Sequence, residues 1–230
     1  VKTYLLTLRV MQVDYTLYLI TDDGYLSDRN WLKAIEDAIR GGVTVVQYRS
    51  KSGTKTTKEM YEELLQLREL TKKYNVPLIV NDRVDLALAV DADGVHIGQD
   101  DLPAEVVRKI LGEDKIVGIS THSLEEVERA NDLPVDYIAF GSVYRTPTKE
   151  KPIVVGVEQL KEAKKIAKKP VVAIGGIMPY NVDEVIKAGA DGVAVISAIL
   201  GFNDTLKAAE SMKRAIERTR RELRLLGILR

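Results

Sequence analysis

The sequence contains no cysteine. That single absence removes a disulfide framework, a thiolate metal site and a thiol nucleophile, and it suits a cytoplasmic setting. Charge of one sign is also missing, since 34 Lys and Arg stand against 34 Asp and Glu. No general affinity for nucleic acid or an anionic membrane is expected, so any anion site has to be local. No apolar run approaches a membrane span, and the opening VKTYLLTLRVMQVDY, broken by Arg9, makes a poor signal peptide. Nor does a stretch rich in Pro, Ser or Gly divide the 230 residues, so one large domain is expected.

What the sequence does contain is alternation. Short runs rich in β-branched residues recur between longer amphipathic stretches, the pattern of parallel βα units. They are TLYLI (16–20), VTVVQY (43–48), PLIV (77–80), GVHI (94–97), KIVGI (115–119), DYIAF (136–140), PVVAI (170–174) and GVAVI (192–196). Eight such units predict a single (βα)8 TIM barrel. An open doubly wound sheet would call for a Gly-x-Gly-x-x-Gly turn after the first strand, where TDDGYLSD stands instead. Thr56 with Glu59 and Ser123 with Glu126 fit capping boxes, Asn181 fits an N-cap, and Pro103 fits a first helical turn. Ala-Asp-Gly-Val opens both the fourth and the eighth strand. Residues 1–13 read as an extension before the barrel, and about 211–230 as a charged helical tail.

In such barrels the site lies at the C-terminal ends of the strands and in the loops that follow. Strand two ends in QYRSK, where alternation puts Gln47, Arg49 and Lys51 on one side of the extended backbone. Strand three ends in Asn81-Asp82, strand four in Gln99, Asp100 and Asp101, and strand five in Ser120. Strand six opens into a loop carrying Thr146, Pro147, Thr148 and Lys149; strand seven ends in Gly175-Gly176 and strand eight in Ile196-Ser197. Two carboxylates on adjacent strands beside fixed cations are what Mg²⁺ needs when it is carried on a diphosphate. Glycines and a helix start after strands seven and eight suit a separate monophosphate. Taken singly, the same residues have plainer roles: Asp82 and Asp101 as helix caps, Arg49 and Lys51 as solvated loop residues, Gly175-Gly176 as a turn, His96 as a packed core histidine. Their joint occurrence at successive strand ends favours two phosphorylated small-molecule substrates brought together.

The motifs QYRSK, ND at 81–82, HIGQDD, GIS at 118–120, TPTK at 146–149, AIGGI at 173–177 and the final AVIS resemble those of the thiamine-phosphate synthase family, in order, from about Tyr15 to Leu200. Tyr48 and Ser50 replace the family's usual Leu and acidic residue, and Ser142, Tyr144 and Arg145 stand where Pro, Phe and Pro are common. The resemblance implies a Mg²⁺-dependent condensation of 4-amino-2-methyl-5-hydroxymethylpyrimidine diphosphate with 4-methyl-5-(2-hydroxyethyl)thiazole phosphate, giving thiamine phosphate and diphosphate. It implies that Gln47, Tyr48, Arg49, Ser50, Lys51, Asn81, Ser120 and Lys149 hold the pyrimidine diphosphate, and that Thr146, Pro147, Thr148, Gly176, Ile196 and Ser197 hold the thiazole phosphate. Arg49, Lys51, Ser120 and Lys149 would act in catalysis, with Asp82 and Asp101 as metal ligands. A thiazole tautomerase and a silent thiazole phosphate-binding regulator are the alternatives on this fold, and a homo-oligomer is left open. His122, just past Ser120, is a further candidate.

Overall fold

The computed structural model describes residues 12–51, 53–148 and 153–229. Lys149 and most of the expected N-terminal extension therefore lie outside the described residues. Eight strands, β1 (Leu17–Ile20), β2 (Val45–Tyr48), β3 (Leu78–Asn81), β4 (Gly94–Ile97), β5 (Ile116–Thr121), β6 (Tyr137–Phe140), β7 (Val171–Ile174) and β8 (Gly192–Val195), pair in parallel in chain order and close β8 onto β1. The helices are α1 (Asp23–Leu26), α2 (Trp31–Arg40), α3 (Thr57–Lys73), α4 (Val84–Ala89), α5 (Ala104–Leu111), α6 (Leu124–Asp132), α7 (Gly156–Ile166), α8 (Val182–Lys187), α9 (Ser197–Leu200) and α10 (Thr205–Leu225). Among the described residues no helix is long and apolar enough to cross a membrane.

Each strand reads as continuously apolar because both its faces are covered, one by the barrel interior and one by helices. The interior holds Tyr15, Tyr18, Ile20, Val45, Ile79, Tyr137, Val172 and Ala194, while the larger apolar layer lies between strands and helices. Interior packing is tight enough to dictate composition. A Cβ added at Gly118 on β5 would stand 2.1 Å from Cζ of the fully buried Tyr137 ring. Gly118→Ala is therefore expected to destabilise the fold by about 2 kcal/mol through overpacking, measured as a lowered denaturation midpoint with an unchanged m-value.

At the N-terminal ends of the strands a clamp repeats. Asp93 accepts from Leu78 N, Asp136 from Val117 N and Asp191 from Val171 N, each at 2.7 Å. Each carboxylate also takes a cation from a surrounding helix: Arg68 on α3, Arg108 on α5 and Lys164 on α7. Before β2 the neutral Thr44 does the same job, its Oγ1 accepting from Leu17 N at 3.0 Å. The shared Ala-Asp-Gly-Val is thus a strand-pinning device: its Asp ties the neighbouring strand's first N–H to a helix.

Local signals behave unevenly. Thr56 and Glu59 form a full capping box. Ser123 accepts from Glu126 N as expected, but the Glu126 carboxylate accepts from His122 N, one residue earlier than a box requires. Asn181 precedes α8 without a side-chain cap; its Oδ1 accepts from Met178 N and its amide donates to Gly176 O. Pro103 stands just before α5 rather than inside it. The C-terminal segment read as a tail from about 211 is the later part of α10, which starts at Thr205 and packs on α2 and α8. Its buried stripe is Ala209, Met212, Ala215, Ile216, Thr219 and Leu223, small or scattered residues among many charges.

Candidate active site

The acidic end of β4 is shaped by a turn. In Gly98-Gln99-Asp100-Asp101 the chain doubles back so that Asp101 Oδ2 accepts from Gly98 N at 2.6 Å. Asp100 is exposed, and the Gln99 amide donates to the Ser120 carbonyl at 2.7 Å. On the adjacent strand Asp82 follows β3 with φ +61°, a left-handed conformation that Asp and Asn tolerate better than most residues. Its N–H donates to His96 O, which keeps it in register with β4. The two carboxyls come together here. Burial, and then the neighbouring Asp101, raise the Asp82 pKa, against the lowering effect of Lys51. Lys51 Nζ lies 3.1 Å from Asp82 Oδ2, so residues from the ends of β2, β3 and β4 converge on one point where positive charge is favoured. Among the described residues no third His, Cys, Asp or Glu joins the pair as a metal-binding group.

Arg49, two residues before Lys51 in the chain, has a mooring that the sequence reading passed over. Its N–H donates to Thr21 Oγ1 at 2.9 Å and its guanidinium to Asp22 Oδ2 at 3.1 Å. Thr21 and Asp22 belong to TDDG at the end of β1, and Asp22 also caps α1 by accepting from Gly24 N. Strand alternation then separates the rest of QYRSK. Gln47 points into the barrel and is 2% exposed. Tyr48 turns outward, donating to Glu63 on α3 at 2.6 Å, and Ser50 donates to Asp23 at 2.8 Å. The structure therefore does not bring Tyr48 and Ser50 to the carboxylate pair. Asn81 ends β3 half-buried, paired in register with His96.

Ser120 lies within β5, which runs two residues further than its apolar run suggested. His96 Nε2 is 2.8 Å from Ser120 Oγ, and burial presses the imidazole pKa down to about 4. His96 is thus a neutral interior residue. His122 Nδ1 lies 2.7 Å from the Gly141 carbonyl, which can only accept, so its proton is on Nδ1.

Across the barrel mouth, the β6 and β7 loops meet. Tyr144 N donates to Gly175 O at 3.0 Å, and a Cβ on Gly176 (φ +64°) would stand 2.4 Å from Arg145 O. Thr146 and Thr148 hydroxyls are 2.8 Å apart in that loop, and Pro147 is exposed. Ile196 precedes the short α9, which starts at Ser197 directly after β8. All these residues occupy the C-terminal strand ends, on the opposite side of the barrel from the clamps.

Comparison with known proteins identifies the family. The family model described as thiamine monophosphate synthase matches residues 17–199. The chain is 63% identical over 215 residues to thiamine-phosphate synthase 1 of Aquifex aeolicus, covering 94% of this chain and 99% of that protein. It is 53% identical over 200 residues to the thiamine-phosphate synthase of Hydrogenobaculum, covering 87% and 92% respectively. A solved structure, the thiamine phosphate pyrophosphorylase from Pyrococcus furiosus, superposes with a TM-score of 0.82 at 42% identity, covering 90% of this chain and 98% of that one. With its barrel, its strand-end motifs and these relatives over nearly its whole length, the chain belongs to the thiamine-phosphate synthase family.

Proposed function

We propose that this enzyme joins 4-amino-2-methyl-5-hydroxymethylpyrimidine diphosphate to 4-methyl-5-(2-hydroxyethyl)thiazole phosphate, releasing diphosphate and thiamine phosphate, as a soluble cytoplasmic transferase. The observation that carries the reading is the convergence of Asp82, Asp101 and Lys51 at the ends of three adjacent strands, in a chain 63% identical to a named synthase. Two close carboxyls, one already holding an ammonium, form a donor set that fits Mg²⁺ sharing its shell with substrate phosphates. Asp82 and Asp101 would hold that ion, which when bound supplies positive charge to the diphosphate.

The chemistry asks little else of the protein. The bond between the pyrimidine methylene and the diphosphate oxygen breaks, its electron pair leaving with diphosphate. The lone pair of the thiazole nitrogen then forms the new carbon–nitrogen bond, giving a thiazolium. Arg49 and Lys51, with Lys149 assigned by motif, neutralise the departing charge, the kind of preorganised contribution that dominates in dry sites. Gln47, Asn81 and Ser120 present polar atoms to the pyrimidine substrate. Thr146, Pro147 and Thr148, with Gly176, Ile196 and Ser197, hold the thiazole phosphate far enough round the mouth to leave two separate anion sites. No nucleophile from the protein is needed, so the absence of cysteine is no obstacle.

Mixing the two substrates with Mg²⁺ and the protein should yield thiamine phosphate by mass spectrometry, and EDTA should stop it until Mg²⁺ is restored. No product would overturn the reading; full turnover in metal-free buffer would overturn the metal assignment alone. Lys51→Ala should raise the KM for the pyrimidine diphosphate at least about tenfold, roughly 1.4 kcal/mol, with the thiazole phosphate KM changed less than about twofold. Equal losses for both would mean that the two anion sites are one.

A further inference from the structure

The interior of the barrel holds a polar chain that joins Gln47 to Ser120 through Tyr18, Tyr137 and His96, three residues to which the condensation gives no role. Gln47 Nε2 donates to Tyr18 Oη at 2.9 Å, and Tyr18 Oη lies 2.6 Å from Tyr137 Oη. Tyr137 Oη in turn lies 2.9 Å from His96 Nδ1, and His96 Nε2 lies 2.8 Å from Ser120 Oγ. The chain crosses from β2 to β5 through residues that are almost wholly buried, Tyr137 being admitted by the missing side chain of Gly118.

Hydrogen counting gives this chain a direction. The Gln47 amide nitrogen can only donate, so Tyr18 oxygen is already an acceptor and its single hydrogen is free for Tyr137. Tyr137 then spends its own hydrogen on His96 Nδ1. In a neutral imidazole one nitrogen accepts and the other donates, which puts the proton of His96 on Nε2, pointing at Ser120 Oγ. Ser120 oxygen accepts, and its hydroxyl hydrogen is left to turn to the barrel mouth. The reverse arrangement would bring two donors onto Tyr18 oxygen and strand its hydrogen inside a dry core, where an unmade hydrogen bond is costly.

We infer that Tyr18, Tyr137 and His96 are positioning residues whose one-way hydrogen bonding fixes His96 as the Nε2–H tautomer and so holds Ser120 as a hydrogen-bond donor to the diphosphate-bearing substrate. A serine free to rotate can offer either a hydrogen or a lone pair; this one is committed to offering its hydrogen. An oxygen that gains negative charge as it departs is the acceptor such a donor serves best. Because Tyr18 and Tyr137 are neutral phenols with pKa values raised by burial, the arrangement does not depend on a titrating base. The kinetic side of this inference rests on the proposed condensation; the tautomer does not.

Nitrogen-15 labelling of histidine tests the tautomer directly, because the chain has only two histidines. His96 should show Nε2 protonated and Nδ1 bare, and His122 should show Nδ1 protonated, with His122→Asn assigning the signals. An Nδ1–H tautomer at His96 would mean that the Gln47 amide is turned over and every donor reversed, which overturns the inference. Tyr137→Phe then breaks the chain while keeping the ring. It should mix the His96 tautomers and lower kcat at least about tenfold, with both KM values changed less than about twofold. Tyr18→Phe leaves the Tyr137 hydroxyl only His96 Nδ1 to donate to, so it should keep the Nε2–H tautomer; mixed tautomers there would overturn the direction, and this arm stands even if Tyr137→Phe folds poorly. In Tyr137→Phe, mixed tautomers with unchanged kcat would reduce the chain to packing and overturn the positioning role. Failure of the native protein to make thiamine phosphate would remove the proposed function and leave the tautomer result to stand or fall alone.

Discussion

Asp101→Asn is expected to lose at least about a hundredfold in kcat/KM, a magnitude typical of removing a charge aimed at the reacting group. The substitution is nearly isosteric. Its amide oxygen can still accept from Gly98 N, so the turn at 98–101 should survive and the melting temperature should not fall. It should even rise slightly. Asp82 binds its proton more tightly folded than unfolded, because of burial and then because of Asp101. Above that pKa the ionised pair therefore weakens the fold, and neutralising one partner removes part of that cost. Asp82→Asn should show the same loss of turnover, since Asn accepts the left-handed backbone found there. The measurement is kcat/KM against Mg²⁺ concentration together with the melting temperature. Retention of more than about a tenth of the activity at saturating Mg²⁺ would refute the ligand assignment, whereas loss of activity with collapse of the fold would assign the residue to structure.

The second large effect belongs to the other end of the barrel. Asp93→Ala should cost about 3–4 kcal/mol of stability, by the logic of breaking a largely buried ion pair, which is a fall in Tm of roughly 10 °C for a domain of this size. Three hydrogen bonds disappear together: two from Arg68, at 2.6 and 3.3 Å, and one from Leu78 N. Arg68 has a side chain only 10% exposed and an Nε that already lacks a partner among the described residues, so its charge would be stranded. Pairing the change with Arg68→Met should recover much of the loss, though not the orphaned Leu78 N–H. Activity at low temperature should be spared, because the clamps and the mouth are at opposite ends of the strands. Equal stability of Asp93→Ala and the native protein in urea would show the clamp to be ornamental.

The strands were legible in the sequence because each is short, β-branched and bounded by Gly, Asp or Pro, and because eight such runs admit few other architectures. Asp82, Asp101 and Lys51 were legible because strand ends converge by topology alone. Other features depend on distances that sequence does not carry. Tyr18 and Tyr137 touch across 119 residues, and neither stands in a motif; the only local trace is Gly118, whose vacancy the ring fills. Asp22 was readable in principle as an acid at the end of β1, but TDDG draws attention first as a turn. The last helix was legible as a charged tail from about 211, but its start at Thr205 was not, because the stripe it buries there opens on Thr205 and Ala209 rather than on large apolar residues. Gly176 shows how two readings can be true at once. Its left-handed φ and the approach of Arg145 O require glycine for packing whatever its N–H binds, so a valine there would damage both. Ser197→Ala, which leaves the backbone free, is the cleaner probe of the proposed thiazole phosphate site.

Closure of β8 onto β1 has a consequence for how the molecule is made. During synthesis Leu17–Ile20 leaves the ribosome early, while its partner Gly192–Val195 and the covering helix Thr205–Leu225 leave late. Until they do, one edge of β1 and one flank of α2 have nothing to pair with, and joining elements so far apart in sequence is the slow part of folding such a topology. An unpaired parallel edge on a half-made barrel is a site for pairing with other chains. The final helix is therefore a temporal seal as much as a spatial one: its emergence ends the interval in which the nascent chain is exposed to misassembly.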